Sequence, residues 1–300
     1  MGTPAVRAER LSKAYGRDRG VTDLTFAVEP GEVFGYLGPN GAGKTTTIRL
    51  MLDLIRPTSG TIELFGLDAR RAGVEARTRI GYLPGDLRLY DRLTGRELLR
   101  YLASLRGLAD LGDGAQLAER LDLDLDRPLR ALSKGNRQKV GLVQALMHRP
   151  ELAVFDEPTS GLDPLVQQVV YALVRETTAD GRTVFVSSHV LSEVQEIADR
   201  VALVRDGRLQ LVATVEELRS QAVSRVEVTF GDAPPPGAFD DLPGVREVER
   251  HGATVRLSLE GSADPLVKAL ARYEVRGLDS HEADLEDVFL ALYRGEADAA

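Results

Sequence analysis

The stretch Val33-Phe34-Gly35-Tyr36-Leu37-Gly38-Pro39-Asn40-Gly41-Ala42-Gly43-Lys44-Thr45-Thr46 decides the fold of this chain. Its first five residues form an apolar run that predicts a buried strand, and residues 38–45 fit the pattern G-x-x-x-x-G-K-[ST]. Apolar residues then recur with helical spacing from Ile48 until Pro57, which predicts a helix. Strand, glycine-rich loop and helix in this order are the context in which the motif binds phosphate.

This loop carries the features that hold the phosphates of a nucleoside triphosphate. Gly38, Gly41 and Gly43 permit backbone conformations in which successive N–H groups turn toward the β-phosphate, at the positive end of the following helix. Lys44 is expected to reach the β- and γ-phosphates, and the Thr45 hydroxyl to ligate Mg²⁺. The alternative, a glycine-rich turn with a chance Lys-Thr pair, is disfavoured by the flanking strand and helix. The residues predicted to contact the nucleotide are Gly38, Pro39, Asn40, Gly41, Ala42, Gly43, Lys44, Thr45 and Thr46.

The amino-acid composition disfavours or excludes several classes of function. The 300 residues carry a formal net charge of −8, which disfavours broad nucleic-acid binding because phosphate contacts need a surplus of Lys and Arg. The absence of cysteine excludes disulfides, thiolate metal sites and cysteine nucleophiles. The first ten residues lack the apolar core of a signal peptide, and no run approaches the roughly 20 apolar residues that span a bilayer. We therefore expect a cytoplasmic chain whose association with a membrane comes through a partner.

A second apolar run, residues 152–155, ends in two carboxylates, Asp156 and Glu157. Bare carboxylates at the end of a buried strand are costly unless a cation or hydrogen bonds satisfy them. Asp156 fits the residue that holds Mg²⁺ directly or through water, and Glu157 is placed to orient or deprotonate the attacking water. The alternative is a strand end with two solvated acids, which the phosphate loop upstream disfavours.

Three further positions have a functional and a structural interpretation. Tyr15 can stack on the adenine face or cover a sheet edge, and spacing alone does not separate the two. Ser133 caps a predicted helix, whose start is either only a helix start or an anion site. His189 follows the predicted strand 183–187, at the strand end where parallel sheets bind ligands, and is expected to contact a γ-phosphate. The remaining histidines, which we expect on the surface, are His148, His251 and His281.

The order of elements predicts an α/β core with an insertion and a second domain. Residues 86–150 have helical patterns, among them a capping box formed by Thr94 and Glu97, and they interrupt the core. The core domain is predicted to cover residues 5–222. A small α+β domain without chemical motifs follows at residues 223–300, with helices at 265–273 and 285–293 and a frayed end at 295–300.

Taken in order, these motifs resemble the nucleotide-binding subunit of an ABC transporter over residues 5–220. The resemblance implies a P-loop NTPase fold of mixed sheet, antiparallel β subdomain and helical insertion, and an ATPase that uses ATP and Mg²⁺. The matching segments are 38–45 (Walker A), 132–138 (signature), 152–157 (Walker B), 160–163 (D-loop) and His189 (switch histidine). The resemblance assigns catalysis to Lys44, Glu157 and His189, metal binding to Thr45 and Asp156, and further nucleotide contacts to Tyr15, Ser133, Gly135, Gln138 and Asp163.

Two segments depart from the family pattern. In the signature, Lys134 and Asn136 replace the usual Gly and Gln, a variant compatible with phosphate binding through Ser133 and the Gly135 amide. At the Q-loop, Gly85 stands where the family usually places Gln, so no side chain is available there to ligate Mg²⁺ or position water. Asp86 would substitute only if the loop shifted by one residue.

The resemblance also implies partners. The family mechanism is a head-to-tail dimer, homodimeric or pseudo-dimeric, with ATP between the P-loop of one protomer and the signature of the other. Closure and opening of the dimer would drive a separate permease, whose coupling helix is received by a surface that includes residues 87–93. The ending at 284–290 is similar to the tail on ATPases of ABC-2-type exporters, which implies export of a drug, antibiotic, peptide or lipid-like substrate from the inner face of the cell membrane.

Two other functions compete with this interpretation. A soluble ABC-type ATPase that acts on ribosomes or DNA typically carries two cassettes or long coiled-coil insertions, whereas this chain has one cassette and a negative net charge. A catalytically dead ATP-binding scaffold is favoured by Gly85. It is disfavoured more strongly by four intact residues, Lys44, Asp156, Glu157 and His189.

Overall fold

The computed structural model describes residues 2–281 apart from Arg17, Ala72 and Ala222, and the chain divides into two compact units. The first unit ends at Ala213 and the second begins at Thr214. The sequence places the domain boundary later, after residue 222. The predicted helix at 285–293 and the predicted frayed end at 295–300 lie outside the described residues.

The first unit is built from two sheets and the helices around them. Its strands are β1 (Val6–Tyr15), β2 (Asp18–Val28), β3 (Val33–Leu37), β4 (Ser59–Leu64), β5 (Leu67–Asp68), β6 (Ile80–Leu83), β7 (Leu152–Asp156), β8 (Thr183–Ser188), β9 (Arg200–Arg205) and β10 (Arg208–Thr214). Its helices are α1 (Lys44–Met51), α2 (Gly73–Thr78), α3 (Gly95–Leu105), α4 (Gly114–Arg120), α5 (Lys134–Leu146), α6 (Pro164–Ala179) and α7 (Leu191–Ile197), and a 3-10 turn spans Leu129–Ala131.

The predicted strand β3 lies in the middle of a six-stranded sheet of order β10-β9-β3-β8-β7-β6. Every residue of β3, β7 and β8 is buried, as expected for strands covered on both faces. β8 pairs in parallel with β3 on one side and with β7 on the other. Because parallel strands end at the same edge of a sheet, the segments that follow β3, β7 and β8 meet there.

Aromatic side chains join this sheet to an antiparallel sheet of order β2-β1-β4-β5. Phe26 of β2 stacks on Phe34 of β3 with ring centroids 5.8 Å apart, and Tyr36 of β3 lies 5.3 Å from Phe185 of β8. Phe34, Tyr36 and Phe185 are fully buried. Burial of apolar surfaces such as these favours folding of this unit, and the packing fixes the position of the strand that leads into the glycine-rich loop.

Helices α3, α4 and α5 lie between β6 and β7, within the predicted insertion. The predicted capping box at the start of α3 is confirmed: the Glu97 N–H donates to the Thr94 hydroxyl, and the Thr94 N–H donates to the Glu97 carboxylate. Ser133 caps α5, as predicted, by accepting a hydrogen bond from the Asn136 N–H at 3.2 Å. These caps satisfy backbone donors that a helix start otherwise leaves unpaired.

Two expectations about local structure are wrong. Helix α1 ends at Met51 and does not continue toward Pro57, because Asp53 adopts a positive φ of 55° and Leu54 is 58% exposed. His148 is not a surface residue: its Nε2 donates to the Ile80 carbonyl at 3.1 Å, and its buried Nδ1 has no hydrogen-bond partner. Burial and the nearby Arg106 guanidinium lower the pKa of His148 to about 4.

The other histidines expected on the surface lie in the second unit. His251 is exposed, as predicted. The side chain of His281 lies outside the described part of the structure, so its expected exposure stays a prediction.

The second unit is a small α+β structure. It contains α8 (Val215–Gln221), β11 (Val223–Phe230), β12 (Val245–His251), β13 (Thr254–Glu260), α9 (Asp264–Leu270) and β14 (Val275–His281). The strands form an antiparallel sheet of order β12-β13-β11-β14. Its core contains Phe230 and Phe239, whose rings stack at 5.7 Å, and Tyr273 packs edge-on against Phe230 at 5.8 Å.

Candidate active site

The glycine-rich loop connects β3 to α1 in a conformation that two of its glycines make possible. Gly41 and Gly43 have φ values of +82° and +100°, in the left-handed region that side chains disfavour. A Cβ on Gly43 would lie 2.6 Å from the Val21 side chain and 2.9 Å from the Gly20 carbonyl oxygen. The loop is therefore closely packed against Gly20 and Val21, and its last glycine, Gly43, is the N-cap of α1.

Lys44 begins α1 and is only 6% exposed. Its Nζ donates hydrogen bonds to the carbonyl oxygens of Gly38 at 2.7 Å and Pro39 at 3.1 Å, and it lies 3.4 Å from Glu157 Oε1. The ammonium thus stands between the glycine-rich loop and the end of β7. A phosphate bound by the loop would lie close to this positive charge, in line with the role predicted for Lys44.

Asp156, the last residue of β7, is 2% exposed and accepts hydrogen bonds on both carboxylate oxygens. Thr45 Oγ1 donates to Oδ2 at 2.8 Å, and Ser187 Oγ donates to Oδ1 at 2.6 Å. These bonds offset part of the cost of burying the carboxylate. Burial and the Asp156 charge also raise the pKa of Tyr82 to about 12, so that this phenol stays protonated.

Glu157 meets Lys44 and His189 at the end of β7. Its Oε1 lies 3.4 Å from Lys44 Nζ and 3.2 Å from His189 Nδ1. Its backbone has a φ of +52°, and its N–H donates to Ser187 on the adjacent strand. The three side chains that the sequence assigns to catalysis therefore lie together, although they are far apart along the chain.

The glycine-rich loop borders a cavity of about 330 Å³. Tyr15 lines this cavity and is 45% exposed, so its ring is accessible for stacking against a base. Lys13 Nζ lies 5.3 Å from the ring centroid, and a Cβ on Gly20 would lie 2.9 Å from the ring. The sequence interpretation missed Gly20. Of the predicted nucleotide contacts, those lining the cavity are Tyr15, Asn40, Gly41, Gly43, Lys44, Thr45 and Thr46.

The signature residues do not line this cavity. Ser133 is exposed at the start of α5, and a Cβ on Gly135 would lie 3.0 Å from the Gly161 carbonyl oxygen. The aliphatic part of Lys134 packs over Gly161. The signature and the D-loop therefore form one surface, which agrees with the expectation that Ser133 and Gly135 serve a site on another protomer.

Two predicted nucleotide contacts have structural partners within the chain. Gln138 is 5% exposed, and its amide donates to the carbonyl oxygens of Glu157 and Pro158. In this arrangement the amide is held by the segment after β7, and its contact with the nucleotide stays a prediction. Asp163 is exposed and caps α6, where its carboxylate accepts hydrogen bonds from the backbone N–H groups of Leu165 and Val166.

At the Q-loop position, Gly85 packs closely against Asp156 at the end of β7. A Cβ on Gly85 would lie 3.3 Å from the Asp156 backbone oxygen and 3.4 Å from its carboxylate, so Gly85 fits where a side chain would be crowded. Asp86 is exposed and its carboxylate pairs with Arg88 at 3.2 Å. This arrangement disfavours Asp86 as the replacement for the absent Gln.

The residues present fit a magnesium ion. The Thr45 hydroxyl and the Asp156 carboxylate are adjacent oxygen donors, and Mg²⁺ prefers one or two carboxylates together with waters and phosphate oxygens over a cage of protein ligands. Within the described part of the chain, no group of three or more His, Cys, Asp or Glu side chains is arranged to hold a metal ion. A buried parallel sheet, a glycine-rich loop and an acidic pair at one edge define a P-loop nucleotide hydrolase.

Comparisons with known proteins identify the family. The family model for the ABC transporter matches residues 21–160. Bacitracin transport ATP-binding protein BcrA of Bacillus licheniformis is 35% identical over 233 residues, which cover 76% of this chain and 75% of that protein. Nod factor export ATP-binding protein I of Ralstonia nicotianae is 31% identical over 309 residues, which cover 97% of this chain and 94% of that protein.

A solved structure, described as the ATP binding subunit of an ABC transporter, has a TM-score of 0.67 and 31% identity, and the match covers 72% of this chain and 92% of that one. This chain therefore belongs to the ATP-binding proteins of the ABC transporter family, and it is an ATP-binding ATPase. No helix among the residues that the structure describes is long and apolar enough to cross a bilayer.

Proposed function

We propose that this chain powers an exporter by hydrolysing Mg²⁺–ATP at the site described above, as a peripheral subunit on the cytoplasmic face of the membrane. The observation that carries the proposal is the convergence of Lys44, Glu157 and His189 beside the Thr45–Asp156 pair. These groups come from α1, β7 and the segments after β7 and β8, which the parallel sheet brings to one edge.

Each side chain has a distinct task in this proposal. Lys44 binds the β- and γ-phosphates, and Thr45 with Asp156 holds Mg²⁺, which when bound neutralises charge on the phosphate oxygens. Glu157 orients or deprotonates the attacking water. His189, 3.2 Å from Glu157, is placed to contact the γ-phosphate from the end of β8. Tyr15, which lines the same cavity, stacks on the adenine.

We further infer that two protomers complete each site. Ser133 and Gly135 lie at the N-terminus of α5, whose first turn has no acidic residue, and they do not line the cavity of their own chain. Such a helix N-terminus favours an anion. In a head-to-tail dimer these residues would contact the γ-phosphate held by the P-loop of the partner.

The permease partner is supported by an exposed aromatic surface beside α3. Tyr90 and Tyr101 are 63% and 47% exposed, their rings lie edge-to-face at 6.4 Å, and Leu105 is exposed on the same helix as Tyr101. Exposed aromatic residues of this kind are enriched at protein interfaces. We assign this surface, with residues 87–93, to the membrane partner, an ABC-2-type permease.

Export is the direction that the relatives favour. The printed names of two of them refer to bacitracin transport and to Nod factor export, so a drug, antibiotic, peptide or lipid-like substrate is the corresponding class here. The competing function, a soluble ATPase that acts on ribosomes or DNA, is disfavoured by the net charge of −8.

Capture of the partner tests this proposal. Glu157→Gln retains ATP because it leaves Lys44 and the loop intact, so it is incubated with ATP and detergent-solubilised native membranes and then recovered. The expected companion is a polytopic membrane protein without an ATPase domain of its own. Recovery of ribosomal or nucleic-acid partners would overturn the transporter role and leave the ATPase chemistry intact. Lys44→Ala, which weakens ATP binding, serves as the matched control and should recover less of the companion.

A further inference from the structure

A carboxylate beside the candidate active site joins two segments that carry catalytic residues. Glu193 lies in the first turn of α7, and its two oxygens accept hydrogen bonds from two different hydroxyl groups. Thr159 Oγ1 donates to Oε1 at 2.7 Å, and Ser188 Oγ donates to Oε2 at 2.6 Å. Thr159 is 4% exposed and Ser188 is 2% exposed, so both donors are buried, whereas Glu193 itself is partly buried.

The two hydroxyl groups belong to the segments that hold Glu157 and His189. Thr159 lies two residues after Glu157, and Ser188 immediately precedes His189. Thr159 follows β7, and Ser188 is the last residue of the neighbouring strand β8. Glu193 therefore bridges the same two segments that the 3.2 Å contact between Glu157 Oε1 and His189 Nδ1 brings together.

The segment after β7 has a strained backbone, which hydrogen bonds to Glu193 would help to stabilise. Glu157 has a φ of +52°, which is uncommon for a residue with a side chain and costs free energy. Beyond it the chain turns sharply, with the Ser160 N–H donating to the Glu157 carbonyl at 3.2 Å. Hydrogen bonds to an ionised carboxylate are shorter and stronger than neutral ones, and Thr159 donates such a bond to Glu193.

Glu196, on the same helix, shows what an ordinary surface glutamate does in this fold. Its carboxylate is about half exposed and pairs with Arg175. The Glu193 carboxylate instead accepts hydrogen bonds from two neutral hydroxyl groups. These hydrogen bonds offset the free-energy cost of removing the carboxylate from water.

We propose that Glu193 is a positioning residue that fixes the position of His189 relative to Glu157. It therefore affects the rate of ATP hydrolysis and not the affinity for ATP. This inference rests on the proposed roles of Glu157 and His189. It predicts that loss of either hydrogen bond to Glu193 displaces the two catalytic side chains relative to each other.

The test compares kcat for ATP hydrolysis with the Kd for ATP in matched variants of the full chain. Misplacement of catalytic groups by about 1 Å costs on the order of 10²-fold in rate, so kcat should fall by roughly 10- to 100-fold in Glu193→Ala and in Thr159→Val. The Kd for ATP should stay within about twofold in both variants, because neither residue lines the nucleotide cavity. Thr159→Ser, which keeps the hydroxyl, should recover most of the rate lost in Thr159→Val.

Glu196→Ala is the control on the same helix and should keep the wild-type kcat. A double-mutant cycle distinguishes positioning of His189 from a general structural role. In a His189→Ala background, Glu193→Ala should have little further effect on kcat. The inference is overturned if Glu193→Ala hydrolyses ATP at the wild-type rate, if Thr159→Ser is as slow as Thr159→Val, or if the Kd rises in step with the fall in kcat.

Glu157→Gln separates this inference from the proposed function. If Glu157→Gln is slow while Glu193→Ala is unimpaired, only the positioning role of Glu193 is wrong. If Glu157→Gln hydrolyses ATP at the wild-type rate, the role proposed for Glu157 is wrong, and the inference about Glu193 is overturned with it.

Discussion

At the residue scale, two adjacent carboxylates have different environments, which fit the different roles proposed for them. Asp156 is buried and holds hydrogen bonds from Thr45 and Ser187, which suits an ion ligand fixed in one orientation. Glu157 lies at the positive-φ turn, partly exposed, between Lys44 and His189. Such a difference between neighbouring acids is compatible with the separate roles proposed for them, metal binding by Asp156 and activation of water by Glu157.

The lowered pKa of His148 predicts that the free energy of unfolding decreases in acid. Its pKa is lowered to about 4 in the folded state by burial and by Arg106, against an ordinary value near 6.5. Between these values the unfolded chain takes up a proton that the folded chain does not, so the free energy of unfolding falls as the pH falls through this window. His148→Gln should remove on the order of 1–2 kcal/mol of that fall, after allowance for the ring's partial exposure.

Urea unfolding at about pH 7 and about pH 4.5 measures this effect, since most of the window between the two pKa values lies between those pH values. His251→Gln is the matched control because His251 is exposed. If the wild type and His148→Gln lose equal free energy of unfolding on acidification, His148 is not the responsible group.

At the scale of elements, the N-terminus of α5 combines a structural and a proposed functional role in Ser133. Its hydroxyl accepts from the Asn136 N–H, so Ser133→Ala removes a cap worth about 1 kcal/mol of stability. If Ser133 also contacts the γ-phosphate of a partner's ATP, Ser133→Ala should lower the rate of hydrolysis on the order of 10²- to 10³-fold. ATP binding by the monomer, measured by equilibrium titration, should stay near normal.

Thr94→Ala is the control for the loss of a cap. Thr94 caps α3 in the same insertion by the same type of hydrogen bond, but it has no part in the signature surface formed with Gly161. We expect Thr94→Ala to lower stability with little change in hydrolysis. If Ser133→Ala loses monomer ATP binding, or affects hydrolysis no more than Thr94→Ala, Ser133 is structural only.

The sequence predicted those elements whose signals are local. β3, the glycine-rich loop, and the start of α3 at its capping box follow from residues that are close together in the chain. The missed features depend on pairs far apart in sequence. Ser187 meets Asp156, and Glu193 meets Thr159, only because β8 pairs with β7. The parallel pairing of two continuous apolar strands has no short-range pattern that reveals it.

At the scale of the whole molecule, the ATPase unit and the second unit have different relations to function. All residues to which we assign chemistry lie before Ala213, in the first unit, whereas the second unit is a sheet-and-helix structure with its own apolar core. The relative named for Nod factor export matches 97% of the chain, so the likeness extends into the second unit. The sequence of that unit carries no motif that indicates a chemical role.

The central claim is that this chain hydrolyses ATP with Glu157 at a site that two protomers share. The most direct measurement compares wild type with Glu157→Gln for ATP hydrolysis and, by size-exclusion chromatography with light scattering, for mass with and without ATP. We expect Glu157→Gln to hydrolyse ATP on the order of 10²- to 10³-fold more slowly and to become dimeric only with ATP. Glu151→Gln, before the start of β7, should behave as wild type. Wild-type hydrolysis by Glu157→Gln, or a monomer under all conditions, would contradict the claim.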